Sequence, residues 1–524
     1  MTSQSMWSPL RVGIYRALWL AVLGSQVGTW MQTVGAQWLL VSRPNAATLV
    51  SLVQTASMLP ILVLALPAGV LADSFDRRRM LIAVQCYQAA VGVALTVLTL
   101  VGQMTPPLLL TLTFLMGCGA AMTVPAYQAV IPELVPRSQL RSASALGAVS
   151  INLARAVGPA VAGVLVAQAG VGTVFALNAA SFAVFAVVLL FWRRPHDDDQ
   201  PVAEPFLAAL RAGGRYVRHS PVMRRFLTRL ALFIVPGVAL WALLPLVASE
   251  RLHMGAGGYG LLLAAVGAGA VAGAFIMSRL RMWLRDNQLL LAASLTYAAV
   301  LVVLALVRVP AVVAVALVPA GAAWVAVLSD ANAGVQMFLP GWVRARGLGA
   351  YQVVFFGGQG IGAFLWGLVA EQVGLVAAFL AAGVITAAGA ATIRLWPLID
   401  VHHLNRDLAV YWPEPQLRVE PDPSAGPVVV TVTYVVAPDN EPAFLDAMTA
   451  VRRSRMRTGA VQWGIFRHGE KPDRLVEIYV VPSWDEHLRQ HSGRLTGTDQ
   501  EIERRARAFA ETEPEVTHLL PTRR

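Results

Sequence analysis

Charged residues are scarce in this chain, and cysteine is almost absent. Asp, Glu, Lys and Arg together make up 14% of the 524 residues, whereas 56% are hydrophobic. A soluble fold of this size would need far more charge to cover its surface, so that class is excluded for most of the chain. Only two cysteines are present, Cys86 and Cys118, and both fall inside apolar runs. They are interpreted as packing residues, which excludes a disulfide framework.

The sequence also has no metal-ligand spacing and no cofactor motif, so neither a metal nor a cofactor is expected. The formal net charge is +11, and Lys471 is the only lysine, so arginine carries nearly all of the positive charge. These arginines lie mainly in short segments between apolar runs, where positive charge sets the orientation of a membrane protein. Their location argues against a nucleic-acid partner.

Apolar runs of membrane-spanning length recur from Leu18 to about Trp396. A helix needs roughly 20 such residues to cross a bilayer, and the first run is too long for a cleavable signal peptide. We therefore predict an all-α membrane protein with twelve transmembrane helices in two six-helix halves, followed by a small α+β domain. The predicted spans are 15–41, 47–71, 80–102, 106–130, 142–168, 171–192, 223–249, 258–279, 287–307, 310–338, 348–371 and 374–396.

Arginine-rich loops alternate with loops that hold almost no arginine. By the positive-inside rule, both termini of this multi-pass protein are expected on the cytoplasmic side of a bacterial inner membrane. The loop after the sixth span is predicted to carry a helix that lies on the membrane surface. The predicted domains are an N-terminal half at 12–192, an interdomain loop at 193–222, a C-terminal half at 223–396, a Pro-rich linker at 397–426 and a cytoplasmic domain at 427–524.

The two halves share a short internal repeat. Four residues of the first half are matched in order and spacing by four of the second half: Gly163, Gln168, Gly170 and Phe175 by Gly367, Gln372, Gly374 and Phe379. Parallel repeats of six spans place a substrate path between the halves, near the middle of the bilayer.

A conspicuous loop follows the second span, with a glycine, an aspartate four residues later and a basic cluster: Gly69, Asp73, Asp76, Arg77, Arg78 and Arg79. This pattern resembles the signature loop of the major facilitator superfamily, which implies a cytoplasmic latch that holds the two halves together. Glu133 and Arg137, at the end of the fourth span, are expected to join it. The alternative is that the arginines only fix topology and that Glu133 marks a solvated helix end. In the second half Met277 replaces the aspartate, so the latch is expected to be asymmetric.

The fifth span contains a second motif, formed by Asn152, Arg155, Gly158, Pro159 and Gly163. It resembles the Gly-Pro signature of facilitator antiporters, which implies export, although alanines stand at two positions where the pattern prefers glycine. The alternative is ordinary tight packing. A charge as deep as Arg155 is costly in a membrane, so Arg155 is a candidate functional residue. Its alternative role is structural, with the guanidinium bonded to carbonyls or reaching the lipid headgroups.

Two spans carry polar residues at helical spacing. Gln26, Trp30 and Gln37 share one side of the first span, and Asn332 and Gln336 share one side of the tenth. The facilitator resemblance places both helices at a central cavity, whereas the alternative is polar contact between packed helices. Asp330 is an acid well inside a span, and a buried carboxyl is suited to carry a proton.

The last hundred residues read as strand, helix, two strands, helix and strand, the order of the ferredoxin-like fold. In pattern they resemble small dimeric α/β-barrel domains related to antibiotic-biosynthesis monooxygenases, which implies a homodimer through this domain. His487 and His491 are four residues apart on a predicted helix and could bind a metal. No third ligand is evident, so an exposed face or a dimer contact is expected instead.

With this tail and its Trp-His-Leu-Arg-Gln-His run at 484–491, the chain resembles the transmembrane secretion effector group of facilitators, relatives of the enterobactin exporter. The resemblance implies a non-enzymatic, proton-coupled exporter of a siderophore-like or amphiphilic drug-like molecule that works by alternating access in the lipid bilayer. Three alternatives stay open: a small-nutrient importer, a lipid flippase of the same fold, and a membrane-anchored enzyme of the monooxygenase kind.

Overall fold

The computed structural model describes residues 7–74, 76–192, 206–399, 404–405, 407–412, 417–419 and 421–522; within these ranges the side chains of 65–74 and 206–210 and of Ala129, Arg137, Arg141, Ser278 and Ala345 are not described. The chain forms two compact units. The first unit comprises Met1–Pro201, Thr228–Ala331 and Gln352–Pro397. The second unit comprises Val202–Leu227, Asn332–Tyr351 and Leu398–Arg524.

Long helices occupy all twelve predicted spans, to within a few residues at either end. Those of the N-terminal half are α1 Gly13–Leu40, α2 Ala46–Ser74, α3 Arg77–Leu100, α4 Pro106–Leu134, α5 Leu140–Ala169 and α6 Val171–Phe191. A shorter helix, α7, spans Phe206–His219. Those of the C-terminal half are α8 Pro221–Leu246, α9 Ala256–Leu280, α10 Asp286–Leu306, α11 Pro310–Phe338, α12 Arg344–Val373 and α13 Leu375–Ala391.

Eleven of the described helices are both long and apolar enough to cross a membrane, one fewer than predicted. The helix that does not qualify is α1, whose 28 residues are sufficient in length. Its glutamines Gln26, Gln32 and Gln37 lower its hydropathy. Because α1 packs against α5 and α6, these polar groups can be covered by protein rather than by lipid.

The internal repeat corresponds to equivalent structure in the two halves. Gly170 and Gly374 adopt φ angles of +80° and +90°, which only glycine tolerates without strain. Each stands directly before the next helix, α6 or α13. The matched Phe175 and Phe379 are both fully buried. Both halves therefore use the same turn and the same buried aromatic anchor.

The tail domain has the predicted ferredoxin-like fold. Its elements are β1 Val428–Val435, α14 Glu441–Thr458, β2 Gln462–Arg467, β3 Arg474–Val481, α15 Trp484–Arg489, α16 Gly497–Arg507 and β4 Glu515–Leu519. The sheet is antiparallel in the order β2-β3-β1-β4. Alternate residues of β1 are buried, and Phe444 and Met448 of α14 belong to the same core. Between α15 and α16 a π-helical turn covers Gln490–Arg494, so the second predicted helix is divided in two.

Helix α7 is present where a helix on the membrane surface was predicted, but one of its faces is covered by protein. It packs against α14 of the tail domain, and its residues Ala212 and Tyr216, four apart and hence on one face, are buried. Arg215 of α7 forms an ion pair with Glu486 of α15. The apolar face of α7 is thus covered by protein within the second unit. The rest of the predicted interdomain loop, at 193–205, lies outside the described residues.

Candidate translocation site

The basic loop after α2 is tied to the N-terminal half by specific bonds. Asp76 caps α3 by accepting from the Arg79 backbone N–H at 2.8 Å. Arg77 forms an ion pair with Glu133 at the end of α4, with Nη1 2.9 Å from Oε1. Arg78 donates to the Leu189 carbonyl of α6 at 2.9 Å. Glu133 therefore lies in contact with one arginine of this loop, and its part in a latch between the halves stays a prediction.

Three other residues of the predicted latch cannot be placed in this network. Gly69 and Asp73 belong to α2, but neither Asp73 nor Arg137 has a described side chain. Their contribution to the latch remains a prediction.

A second ion pair occupies the corresponding loop of the C-terminal half. Arg281 follows α9 as Arg77 follows α2, and its Nη2 lies 3.2 Å from Oδ1 of Asp330 on α11. The Asp330 side chain is 13% exposed, so the acid is largely shielded and its charge is compensated by the arginine. The sequence marks Asp330 as an acid inside a span, but no spacing in it predicts Arg281 as the partner.

The helices of the first unit have two ends. The arginine-rich end is the one where α2 and α9 finish, and its loops carry Arg77–Arg79 and Arg279–Arg285. The opposite end is the one where α2 and α9 begin. The two ion pairs described above each join residues of the same half.

The predicted polar face of α1 is turned toward other helices. Gln26 accepts a long hydrogen bond, 3.5 Å, from the Ser150 hydroxyl of α5. Near the opposite end Gln37 is buried, accepts from the Tyr259 hydroxyl of α9 at 2.6 Å and donates to the Trp241 carbonyl of α8 at 3.4 Å. Gln37 thus makes a polar contact between packed helices, which was the alternative to a cavity for this face of α1.

Arg155 lies midway along α5, beside Trp30 of α1. Its guanidinium carbon is 5.8 Å from the centre of the Trp30 ring, within the range of a cation–π contact. A Cβ added to Gly158, one turn further along α5, would lie 2.7 Å from the Trp30 Cβ, so the glycine lets the indole approach. Within the described part of the chain no carboxylate forms an ion pair with Arg155. The middle of the bundle therefore carries a positive charge that a tryptophan contacts and no described acid neutralises.

An aromatic cluster continues from Trp30 into the C-terminal half. Trp30 lies 5.9 Å from Trp241 of α8, measured between ring centres, and Trp241 lies 5.5 Å from Trp324 of α11. Tyr297 of α10 is 5.6 Å from Trp324. The sequence does not predict this aromatic cluster, because its members come from four different helices and share no regular spacing.

Glycines allow the halves to approach closely between the middle of the bundle and the opposite end. A Cβ on Gly163 of α5 would lie 2.8 Å from the Cα of Gly260 on α9, and one on Gly367 of α12 would lie 2.7 Å from the Cβ of Ser51 on α2. Gly163 and Gly367 are a matched pair of the repeat, so the same position makes the close approach in both halves. Small residues serve this purpose in membrane helix packing.

Hydrogen bonds accompany these close approaches, two with neutral acceptors and one with a carboxylate. Gln54 of α2 donates to Gln359 of α12 at 3.4 Å, and the Thr55 hydroxyl donates to the Gly360 carbonyl at 2.8 Å. Closer to the opposite end, the Thr48 backbone N–H donates to Glu371 at 3.3 Å. Hydrogen bonds thus link the halves from mid-bundle to the opposite end.

Asn332 and Gln336 belong to the second unit. The Gln336 side chain donates to Asn332 Oδ1 at 3.1 Å along one face of α11, as their spacing predicted. Their role as cavity residues remains a prediction.

The sequence profile of the transmembrane secretion effector family matches residues 4–524, nearly the whole chain. The chain belongs to this family. It is a multi-pass membrane transporter of the major facilitator superfamily and not an enzyme.

Several curated relatives are efflux proteins. The multidrug efflux pump Tap of Mycolicibacterium fortuitum is 25% identical over 69% of this chain and 90% of its own length. The staphyloferrin A transporter of Staphylococcus aureus is 30% identical over 31% of this chain, and the enterobactin exporter of Salmonella typhimurium is 29% identical over 43%. The chain spans only 41% and 54% of the lengths of these last two relatives.

Solved structures agree on the fold. A bacterial homologue of the lysosomal transporter Spinster, in an inward-facing and occupied conformation, aligns with a TM-score of 0.58 at 16% identity over 74% of this chain and 97% of its own. A POT family transporter in complex with a thioalcohol-conjugated peptide aligns with a TM-score of 0.59 at 12% identity, over 73% and 95%. At these identities the likeness establishes the facilitator fold alone.

The tail domain departs from prediction at its histidines. His487 is fully buried rather than part of an exposed face. Beside it and His491 lies His518 of β4, a third histidine that sequence analysis did not connect with them.

Proposed function

We propose that this transporter is a secondary-active exporter of an anionic amphiphilic small molecule, siderophore-like or drug-like, and that it works by alternating access of its two halves. The observation that supports the proposal is the environment of the Arg155 side chain. Its guanidinium lies mid-bundle against Trp30, with no ion pair to a described carboxylate. A substrate with a negative group would supply the missing counter-charge, and an apolar or aromatic body would pack on the tryptophans.

Export is the direction we propose. If the arginine-rich end is cytoplasmic, the contacts between the halves close the path toward the outside. An exporter takes up its substrate from the cytoplasm in such a state, and an importer passes through the same state, so the choice of direction rests on the relatives. The names of three relatives, for enterobactin, staphyloferrin A and multidrug efflux, support export of this kind.

Proton coupling is assigned to the ion pair between Asp330 and Arg281, whose atoms are 3.2 Å apart. A proton bound by Asp330 would remove its charge and release Arg281. The ion pair between Arg77 and Glu133 would remain within the N-terminal half as part of the latch. A latch of this kind is expected to stabilise the outward-facing form.

Uptake by inside-out membrane vesicles tests the proposal. We expect an imposed pH gradient to drive uptake of anionic siderophores or amphiphilic drugs. Arg155→Gln should reduce that uptake about tenfold or more, whereas Arg155→Lys, which keeps the charge, should retain more of it. Asp330→Asn should remove the dependence on the pH gradient.

Three results would contradict the proposal. Equal uptake by Arg155→Gln and the parent protein would show that the charge does not bind substrate. Counterflow in the opposite direction would indicate an importer. Movement of fluorescent lipid in proteoliposomes, without uptake of soluble anions, would indicate a flippase.

A further inference from the structure

Three histidines of the tail domain come from separate elements and converge on one point. His487 lies on α15, His491 on the π-helical turn that follows, and His518 on the edge strand β4. Each ring offers one nitrogen to the group, and these three atoms lie within 4.8 Å of one another. The facilitator mechanism of the membrane unit uses none of them.

The spacing of two ring nitrogens fits shared ligation. His487 Nε2 and His491 Nε2 are 3.2 Å apart. Two nitrogens bound to one tetrahedral zinc ion at about 2.0–2.1 Å would be separated by roughly 3.3–3.4 Å. The third nitrogen needs to move by at most about 1.5 Å to complete such a set.

A hydrogen-bond chain fixes the tautomer of His487. The Thr458 hydroxyl donates to the Ser454 carbonyl at 2.9 Å, so toward Gln490 it acts as an acceptor, from Nε2 at 3.2 Å. The amide oxygen of Gln490 therefore faces His487 Nδ1, at 3.3 Å. Because that oxygen only accepts, Nδ1 carries the proton, and Nε2 presents its lone pair toward His491. Metal-binding histidines typically donate their second ring nitrogen to an oxygen in this way.

Burial and aromatic packing hold the cluster in place. His487 is fully buried. Trp484 packs 5.3 Å from His487 and Trp412 packs 4.8 Å from His491, measured between ring centres. These indoles shield the nitrogens from bulk water on two sides.

The turn that carries His491 is also anchored. Arg494, at its end, donates to both carboxylate oxygens of Glu486, at 2.7 and 2.9 Å, and to the Thr458 carbonyl at 2.9 Å. Arg215 of α7 pairs with the same Glu486. A rigid frame of this kind preorganises a first coordination shell.

From this geometry we propose that His487, His491 and His518 bind one divalent transition-metal ion of the zinc class. Three imidazoles are a ligand set that Zn²⁺, Cu²⁺ and Ni²⁺ accept, whereas Mg²⁺ and Ca²⁺ prefer oxygen. Three protein ligands leave a fourth position for water. The alternative arrangement is a plain hydrogen bond between His491 and His487, which needs no ion.

Metal titration of the full-length protein in detergent, with any affinity tag removed and after chelator treatment, tests the proposal. We expect one Zn²⁺ per chain in competition with a chromophoric chelator, and Co²⁺ should give the visible absorption of a tetrahedral site. His518→Asn, on the edge strand, and His491→Asn should each weaken Zn²⁺ binding about tenfold or more. His468→Asn is the matched control, since this exposed histidine of the same domain pairs with Glu470 and lies outside the cluster.

Co²⁺ titration of the unsubstituted protein keeps the test independent of how the variants fold. Substoichiometric Zn²⁺ with no tetrahedral Co²⁺ spectrum would overturn the proposal. So would equal Zn²⁺ affinity in His518→Asn and His468→Asn, provided that both variants elute as folded protein.

Discussion

The two ends of the membrane bundle are held by different kinds of contact. From the middle to the opposite end, glycine approaches and neutral hydrogen bonds join one half to the other, as between Gly163 and Gly260 or Gln37 and Tyr259. At the arginine-rich end, the described ion pairs Arg77–Glu133 and Arg281–Asp330 each stay within one half.

The two kinds of contact differ in how readily they are made and lost. A single neutral hydrogen bond contributes about 1 kcal/mol, so those between the halves can break and re-form. Losing one partner of an ion pair that is shielded from water costs more. We infer that the Arg77–Glu133 pair keeps the N-terminal half rigid and that the Arg281–Asp330 pair is released only when Asp330 binds a proton, whereas the contacts between the halves open and close during transport.

The largest expected effect comes from the glycine contact. In Gly163→Val the added side chain would meet the Gly260 Cα, and overpacking of this kind costs about 1–3 kcal/mol, or roughly 5- to 150-fold in population. A cysteine at Ser51, which is fully buried in the contact between halves, reports the opening once Cys86 and Cys118 are replaced. We expect its labelling from outside to accelerate accordingly. Gly147→Ala on the same helix is the control, since a Cβ there has no heavy atom within 4 Å.

An intermediate effect is expected from the ion pair within the N-terminal half. Glu133→Gln removes the carboxylate on α4 that pairs with Arg77 and should lower the free energy of unfolding by about 1–2 kcal/mol, because the Glu133 side chain is only 19% exposed. Labelling of the Ser51→Cys probe should not change. Glu371→Gln, which alters an exposed acid at a contact between the halves, should leave stability unchanged. The reverse pattern, altered labelling with unaltered stability in Glu133→Gln, would break the distinction.

The smallest effect is expected from a single neutral hydrogen bond. Tyr259→Phe removes the hydroxyl that donates to Gln37 and should raise probe labelling about fivefold, equivalent to about 1 kcal/mol. Tyr15→Phe is the matched control, because the Tyr15 hydroxyl donates to the Ala143 carbonyl within one half. Equal labelling in the two variants would count against a role for Gln37 in closing the opposite end.

The helices were predictable because a lipid-facing segment must be apolar over a fixed length, and the tail fold because strand and helix periods differ. The repeat of Gly163 and Gly367 predicted equivalent positions but not their partners Gly260 and Ser51, since packing between halves leaves no periodic trace. The Arg281–Asp330 pair within the C-terminal half and the approach of His518 to His487 within the tail domain were missed as well. Residues far apart in sequence meet only through the fold, and β4 had to be placed beside β1 before His518 could be connected with α15.

The most direct test of the account is a disulfide across the halves. In a background with Cys86 and Cys118 replaced by serine, Met58→Cys and Gly360→Cys join α2 to α12, because a Cβ on Gly360 lies 3.6 Å from the Met58 Cβ, within disulfide range. Ile234→Cys and Gly358→Cys form the control inside the C-terminal half, with the same 3.6 Å separation. We predict that oxidation stops transport in the first pair, that reduction restores it, and that the control pair transports in both states. Undiminished transport with the first pair fully cross-linked would contradict movement of the halves relative to each other.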